Sequence, residues 1–379
     1  MTTSEKEKLM GRFGHFVIDA DGHGGEPLGW RKRIPDAFAS RMREYVDSMR
    51  AKYTNLPGSG VRSTDQDDDA VPAQTTDDDL EITADMRPGM YDPEPRMKDM
   101  DDEGIDVAVL FPPGSGEEWA LGDVDFSVAL CRTLNDARAE YASHDPDRLK
   151  LVAKLPMIEP KAAAEELERC VTEHGFVGLV TATHIRDKNL DDPSFDPVWE
   201  AAERLNVAVC THGGGQAPGQ TPLMIDRFDT RLGIHAMTHP LGAMQAVMHF
   251  TVGGIWARYP GLRVGFMEAG VGWLPFWLER LDEHWEMMAD QAPLIDRAPS
   301  TYFEGRGFLT TEPDEKMVPY LFDAVGSDIV CYSSDYCHWD CAFPNSVKIL
   351  VEREDIPKAI HPELFAGNAA KLYNLEVPS

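Results

Sequence analysis

The chain has 379 residues, 42% of them hydrophobic and 27% charged, enough for one large buried core and within the span of a single barrel domain carrying insertions. Its 65 acidic and 36 basic residues give a formal net charge of -29, which repels phosphate backbones and anionic bilayers and so excludes nucleic acid and membrane surfaces as natural partners. Residues 1–10 are polar and charged without an apolar signal core, and no apolar run reaches the roughly 18 residues of a membrane helix; a cytoplasmic protein is expected.

Eight short β-prone runs follow in chain order: 15–20, 105–111, 149–157, 176–181, 207–211, 262–267, 307–311 and 329–333. Helical patterns over 161–174, 197–205 and 277–290 intervene. Strands alternating with helices imply a parallel sheet with right-handed crossovers, and eight such units imply a closed (β/α)8 TIM barrel. One segment breaks the rhythm. Residues 54–100 carry Gly, Pro, Thr and the acidic runs Asp67-Asp68-Asp69 and Asp77-Asp78-Asp79. They read as a solvated surface insertion between strands one and two of a single domain spanning 1–379, or as a lid or dimer arm near 87–91. The six cysteines, in a chain this long without a secretory signal, read as free thiols.

Reactive groups of such barrels sit where strands end, at the C-terminal face. Strand one ends in Asp19-Ala20-Asp21-Gly22-His23, and the two-residue period puts Asp19, Asp21 and His23 on one face. A carboxylate and an imidazole two residues apart can clamp a divalent metal. Strand five ends in His212, followed by Gly213-Gly214-Gly215, which let the backbone approach a ligand closely. Strand six ends in Glu268, a general acid/base, an additional ligand or a capping carboxylate. Strand eight ends in Asp335, able to ligate a metal or move a proton; His338 and Asp340 beyond it either join the site or form a local loop network. Substrate contacts are expected from His338, from Arg306 as a cation for an anionic substrate, and from Trp273 as an aromatic wall. The alternatives are a structural arginine and ordinary core packing.

These residues resemble the amidohydrolase superfamily, within it the branch that includes aminocarboxymuconate semialdehyde decarboxylase and the γ-resorcylate decarboxylases. The resemblance rests on 263–275 (RVGFMEAGVGWLP) with 281–284 (LDEH), on 332–336 (YSSDY) and on 100–110 (MDDEGIDVAVL). It implies that Asp21, His23, His212 and Asp335 hold the metal, with Asp21 standing where the branch usually has His or Glu. Several decarboxylases of the branch carry a histidine where this chain has Glu268. Members with two metals typically place a carboxylated lysine after strand four; none stands there, and His184 occurs nearby, so one ion is expected, zinc first and manganese second. The branch often dimerises, which makes a homodimer the expected assembly.

Three functional readings follow. The first is a lyase that removes carbon dioxide non-oxidatively from an aromatic or unsaturated carboxylic acid, Asp335 protonating the carbon left behind. The second is a hydrolase of a C–N, ester or C–C bond, with Glu268 as the base for water. The third is a barrel without metal that serves as a binding protein.

Overall fold

Short apolar runs that cannot cover both of their faces alone are covered here by pairing and wrapping. In the computed structural model, which describes residues 11–55, 87–112, 122–213, 227–228, 230–338 and 341–378, eight parallel strands lie in sequence order. They are β1 (Ile18–His23), β2 (Val107–Phe111), β3 (Leu149–Lys154), β4 (Gly178–Thr181), β5 (Ala208–His212), β6 (Val264–Met267), β7 (Gly307–Thr311) and β8 (Val330–Tyr332). The expected run at 15–20 slides three residues along; the others keep their places to within a few residues. Hydrogen bonds just past the end of β8 close the ring, Asp335 N–H donating to Asp21 O at 3.1 Å and His23 N–H to Tyr336 O at 2.8 Å. The (β/α)8 barrel read from the alternation is the fold.

Side chains alternate between two cores. Ile18, Val109, Val152, Cys210, Met267 and Phe308 pack inward. Their neighbours Leu110, Leu151, Leu179, Val209 and Phe266 pack outward against the helices. Among these helices are α1 (Ala39–Asn55), α2 (Pro93–Glu103), α3 (Val124–Ala142), α4 (Pro160–His174), α5 (Asp196–Leu205), α6 (Arg231–Phe250) and α7 (Leu274–Met288). Local chemistry sets their ends: Pro160 opens α4 and Gly175, at φ 71, closes it. The Met- and Trp-rich stretch expected at 277–290 is the ring helix α7, with Leu274, Leu278 and Leu281 buried. Among the described residues, no helix is long and apolar enough to cross a membrane.

The last helix, α8 (Asn368–Tyr373), packs with the inward-facing core. Small interior residues, Ala20 and Ala208, leave room that Tyr373 fills, its hydroxyl donating to Ala20 O at 2.7 Å. Tyr373→Phe keeps the volume but orphans a buried carbonyl. It is expected to lower stability by about 1–2 kcal/mol, read as a shift in the urea midpoint at unchanged slope.

The segment expected as an insertion divides in two. Residues 56–86 lie outside the described residues. Residues 93–100, in contrast, belong to α2, the crossover helix between β1 and β2, capped by Asp92, whose carboxylate accepts from Glu94 N–H. Arg96, Asp99 and Met100 are buried, so this part is barrel wall, not solvated surface.

Candidate metal centre

A bulge in β1 sets the site. Asp19 pairs with Ala108 and Gly22 with Leu110, so Ala20 and Asp21 together oppose Val109. The extra residue switches the alternation. Asp21 and His23 both face the axis, whereas Asp19 turns outward, accepting from Ser334 N–H at 2.9 Å and from its hydroxyl at 2.5 Å. The expectation that all three share one face is corrected for Asp19, which anchors the end of β8 instead.

Above the axis, donors from four strand ends converge. His23 Nε2 lies 3.8 Å from Asp21 Oδ1 and 3.0 Å from Asp335 Oδ1. His212 Nε2 lies 3.9 Å from Asp21 Oδ1 and 3.2 Å from Glu268 Oε2. His338 stacks on His23 with centroids 4.1 Å apart and puts Nδ1 2.7 Å from Asp335 Oδ1. Glu268 and Asp335 both sit at left-handed φ, 48° and 49°, a conformation that costs non-glycine residues energy and collects at functional sites. It turns each carboxylate back over the barrel as its strand ends. Thr310 Oγ1 accepts from the Glu268 N–H at 3.0 Å and fixes that turn.

Three carboxylates in one buried cluster demand positive charge. Burial pushes Asp21 well above the usual carboxylate range and drives His23 down to about 4. Burial also opposes charge on His212, but Glu268 and Asp21 outweigh it and push this ring up to about 10. Burial works against the Glu268 anion too, yet His212 and His235 hold it well below its ordinary value. His338 is raised to about 9, Asp335 overcoming burial. The donors fit a cation better than a proton. Both Asp21 oxygens, Asp335 Oδ1 and the Nε2 atoms of His23 and His212 are buried without a hydrogen-bond partner. His212 Nδ1 lies 2.9 Å from Gly213 O, which can only accept, so Nδ1 carries a hydrogen and Nε2 is the atom turned to the carboxylates. A metal-binding histidine characteristically fixes its other N–H in this way.

Helix α2 braces the ends of β1 and β8 from outside. Arg96 donates to His23 O at 3.0 Å and lies 3.8 Å over the Tyr336 ring, while the Tyr336 hydroxyl donates to Asp99. Arg87 grips Asp99 with two hydrogen bonds of 2.7 and 2.9 Å.

Asp21, His23, His212, Glu268, Asp335 and His338 thus come together. Arg306 does not. It precedes β7, at the N-terminal end of the barrel, and its guanidinium donates to Pro260 O at 3.0 Å and Tyr302 O at 2.8 Å. Its expected contact with substrate is corrected to a structural brace, since the strand's opposite end opens on the site. Trp273 packs edge-on against Phe266, on the outward face of β6, with its indole N–H donating to Gly270 O at 2.8 Å; it is core packing and not a pocket wall. His184 lies in a two-residue hairpin after β4 and joins none of the donor groups. Gly214, Gly215 and Asp340 lie outside the described residues. Two residues escaped the sequence reading, His235 and His239 on α6, whose Nε2 atoms lie 3.6 and 3.5 Å from Glu268 Oε1. Their spacing of four was the available signal.

Known proteins share this arrangement of chain. The family model described as Amidohydrolase matches residues 18–375. The chain is 26% identical over 292 residues to 2-amino-3-carboxymuconate-6-semialdehyde decarboxylase of Dictyostelium discoideum, covering 76% of this chain and 77% of the relative. It is 28% identical over 299 residues to gamma-resorcylate decarboxylase of Rhodococcus jostii, covering 74% and 87%. The solved structure of 5-carboxyvanillate decarboxylase from Novosphingobium aromaticivorans, with bound manganese, superposes with a TM-score of 0.74 over 96% of this chain and 98% of its own, at 20% identity.

Proposed function

This chain belongs to the amidohydrolase family, and from that premise we propose that it is a metal-dependent lyase removing carbon dioxide from an aromatic or unsaturated carboxylic acid. The observation that carries the reading is the set of buried, partnerless donor atoms on Asp21, His23, His212 and Asp335: donor atoms of Asp21, His23 and His212 lie within 4.8 Å of one another, and Asp335 joins them through His23, 3.0 Å away. The decarboxylase relatives supply the reaction class. When bound, the ion supplies Lewis acidity to a carboxylate and its neighbouring oxygen. The donor set serves zinc or manganese alike. The manganese in the 5-carboxyvanillate decarboxylase structure favours manganese.

The protein's own groups account for the proton. As the bond to the carboxylate breaks, its electron pair stays on the ring carbon and carbon dioxide leaves. Asp335, held as a carboxylate against burial by His23 and His338, takes the proton from the His338 ring and passes it to that carbon. His338, 2.7 Å away and about a third exposed, returns one from solvent. Its ordinary titration is shifted so that it holds a proton at neutral pH. No disulfide joins the six cysteines, and on that ground a cytoplasmic setting is inferred.

Glu268 favours a second reading. A carboxylate beside His212 suits a base for water, as a hydrolase requires. The two separate cleanly. Protein loaded with manganese or zinc is expected to release carbon dioxide from a panel of hydroxybenzoates and unsaturated dicarboxylates, to lose that activity on chelation with dipicolinate, and to regain it when metal returns. Oxygen-18 from solvent in the product, with no carbon dioxide, would establish the hydrolase and remove the lyase.

A further inference from the structure

Glu268 stands between two groups of imidazoles. Its Oε2 faces the donors described above, 3.2 Å from His212 Nε2 and 4.0 Å from His338 Nδ1. Its Oε1 turns the other way, 3.6 Å from His235 Nε2 and 3.5 Å from His239 Nε2. Four residues apart, the two histidines share one face of α6, with ring centroids 4.3 Å apart. One donor atom from each of His235, His239 and Glu268 lies within 4.8 Å of the other two.

Separations of 3.5 and 3.6 Å are too long for good hydrogen bonds. They suit the edge of a coordination polyhedron, since ligand bonds of about 2.1 Å place neighbouring tetrahedral donors about 3.4 Å apart. The ring tautomer agrees. His239 Nδ1 lies 3.2 Å from His235 O, which can only accept. Nδ1 therefore carries the hydrogen, and Nε2 presents a lone pair to a carboxylate oxygen. The two side chains are 8% and 9% exposed, so water does not screen this opposition of acceptors. A cation between them resolves it. Fixing the far N–H on a backbone carbonyl is how a ligating histidine is oriented.

We propose that His235, His239 and Glu268 form a second divalent-cation site, and that Glu268 bridges two ions, Oε2 toward the first and Oε1 toward the second. Two imidazoles and one carboxylate oxygen suit manganese, iron(II) or zinc, with water completing the shell. Paired ions of this kind stand about 3.5–4 Å apart, a span one carboxylate covers. The proposal rests on Asp21, His23, His212 and Asp335 holding the first ion, and the experiment separates the two claims.

The full-length protein, stripped with dipicolinate and dialysed to equilibrium against Mn²⁺, is expected to hold two equivalents and to show the exchange-coupled electron paramagnetic resonance pattern of a manganese pair. His239→Ala is expected to hold one equivalent with the spectrum of an isolated ion. His235→Asn, at a part-exposed position, is expected to do the same and stands in should the alanine variant fail to fold. One equivalent in the wild type at saturating Mn²⁺, or two in the histidine variants, overturns the second site and leaves the first intact. No bound manganese in the wild type overturns both.

Discussion

Asp335→Asn is expected to reduce turnover by about 10³-fold, within the range that loss of a positioned acid/base produces, and to weaken metal retention. Asparagine keeps the shape of the side chain and tolerates the left-handed backbone at φ 49. The N–H that donates to Asp21 O is unaffected, so the barrel stays closed and the fold is preserved. What disappears is the negative oxygen 3.0 Å from His23 and 2.7 Å from His338, and with it the group proposed to pass a proton to carbon. Single-turnover release of carbon dioxide, measured beside metal content on the same sample, checks both effects. A variant that keeps its full metal and more than about a tenth of wild-type turnover would remove Asp335 from both roles.

The second large effect concerns stability. Arg138, fully buried on α3, ties the tops of three strands: it donates to Val152 O at 2.7 Å, Leu110 O at 2.7 Å and Gly24 O at 3.3 Å, and its Nε lies 2.9 Å from Glu26 Oε1. Arg138→Met fills similar space and supplies no donor. It leaves three carbonyls and a buried carboxylate without their partner, and the expected loss is about 3–5 kcal/mol. The loss should depend on pH. Burial, against the attraction of Arg138, raises Glu26 to about 7 in the folded protein from 4.5. A raised carboxyl favours the folded state below the unfolded pKa, and that contribution fades as pH rises through 7. Without Arg138 the folded value rises further, so the variant loses more above pH 7 than below it. Urea midpoints at pH 6 and pH 8.5 should therefore separate from wild type more widely at pH 8.5, and Glu26→Gln in the same chain should restore part of the loss. An equal loss at both pH values would show that Glu26 takes no part.

Most strands were legible because a fully buried parallel strand needs an unbroken apolar run, as in Val107–Phe111, and because helices must alternate with them. Strand polarity also carried chemistry, since polar residues after a run lie at the open face. That logic located Asp21, His23, His212, Glu268 and Asp335, and applied strictly it would have placed Arg306, which precedes its strand, at the other end. The composition of 54–100 obscured α2, whose Arg96 and Asp99 are buried through partners far away in the chain: Asp99 meets Tyr336, and Arg96 meets His23 O. Asp19 was misplaced because a bulge leaves no mark in the residues on either side of it.

By itself the sequence determined the eight-unit barrel, the face on which the candidate site lies and a donor set suited to a divalent ion, because each depends on local pattern and on the direction of the chain. Only the tertiary structure decided which way each donor points. It placed Tyr373 inside the barrel, set Asp19 apart from Asp21, and brought His235 and His239 on a ring helix to the far oxygen of Glu268. Those outcomes depend on register, bulges and the closing of a ring, where a shift of one residue reverses a side chain, and no local run of residues encodes that.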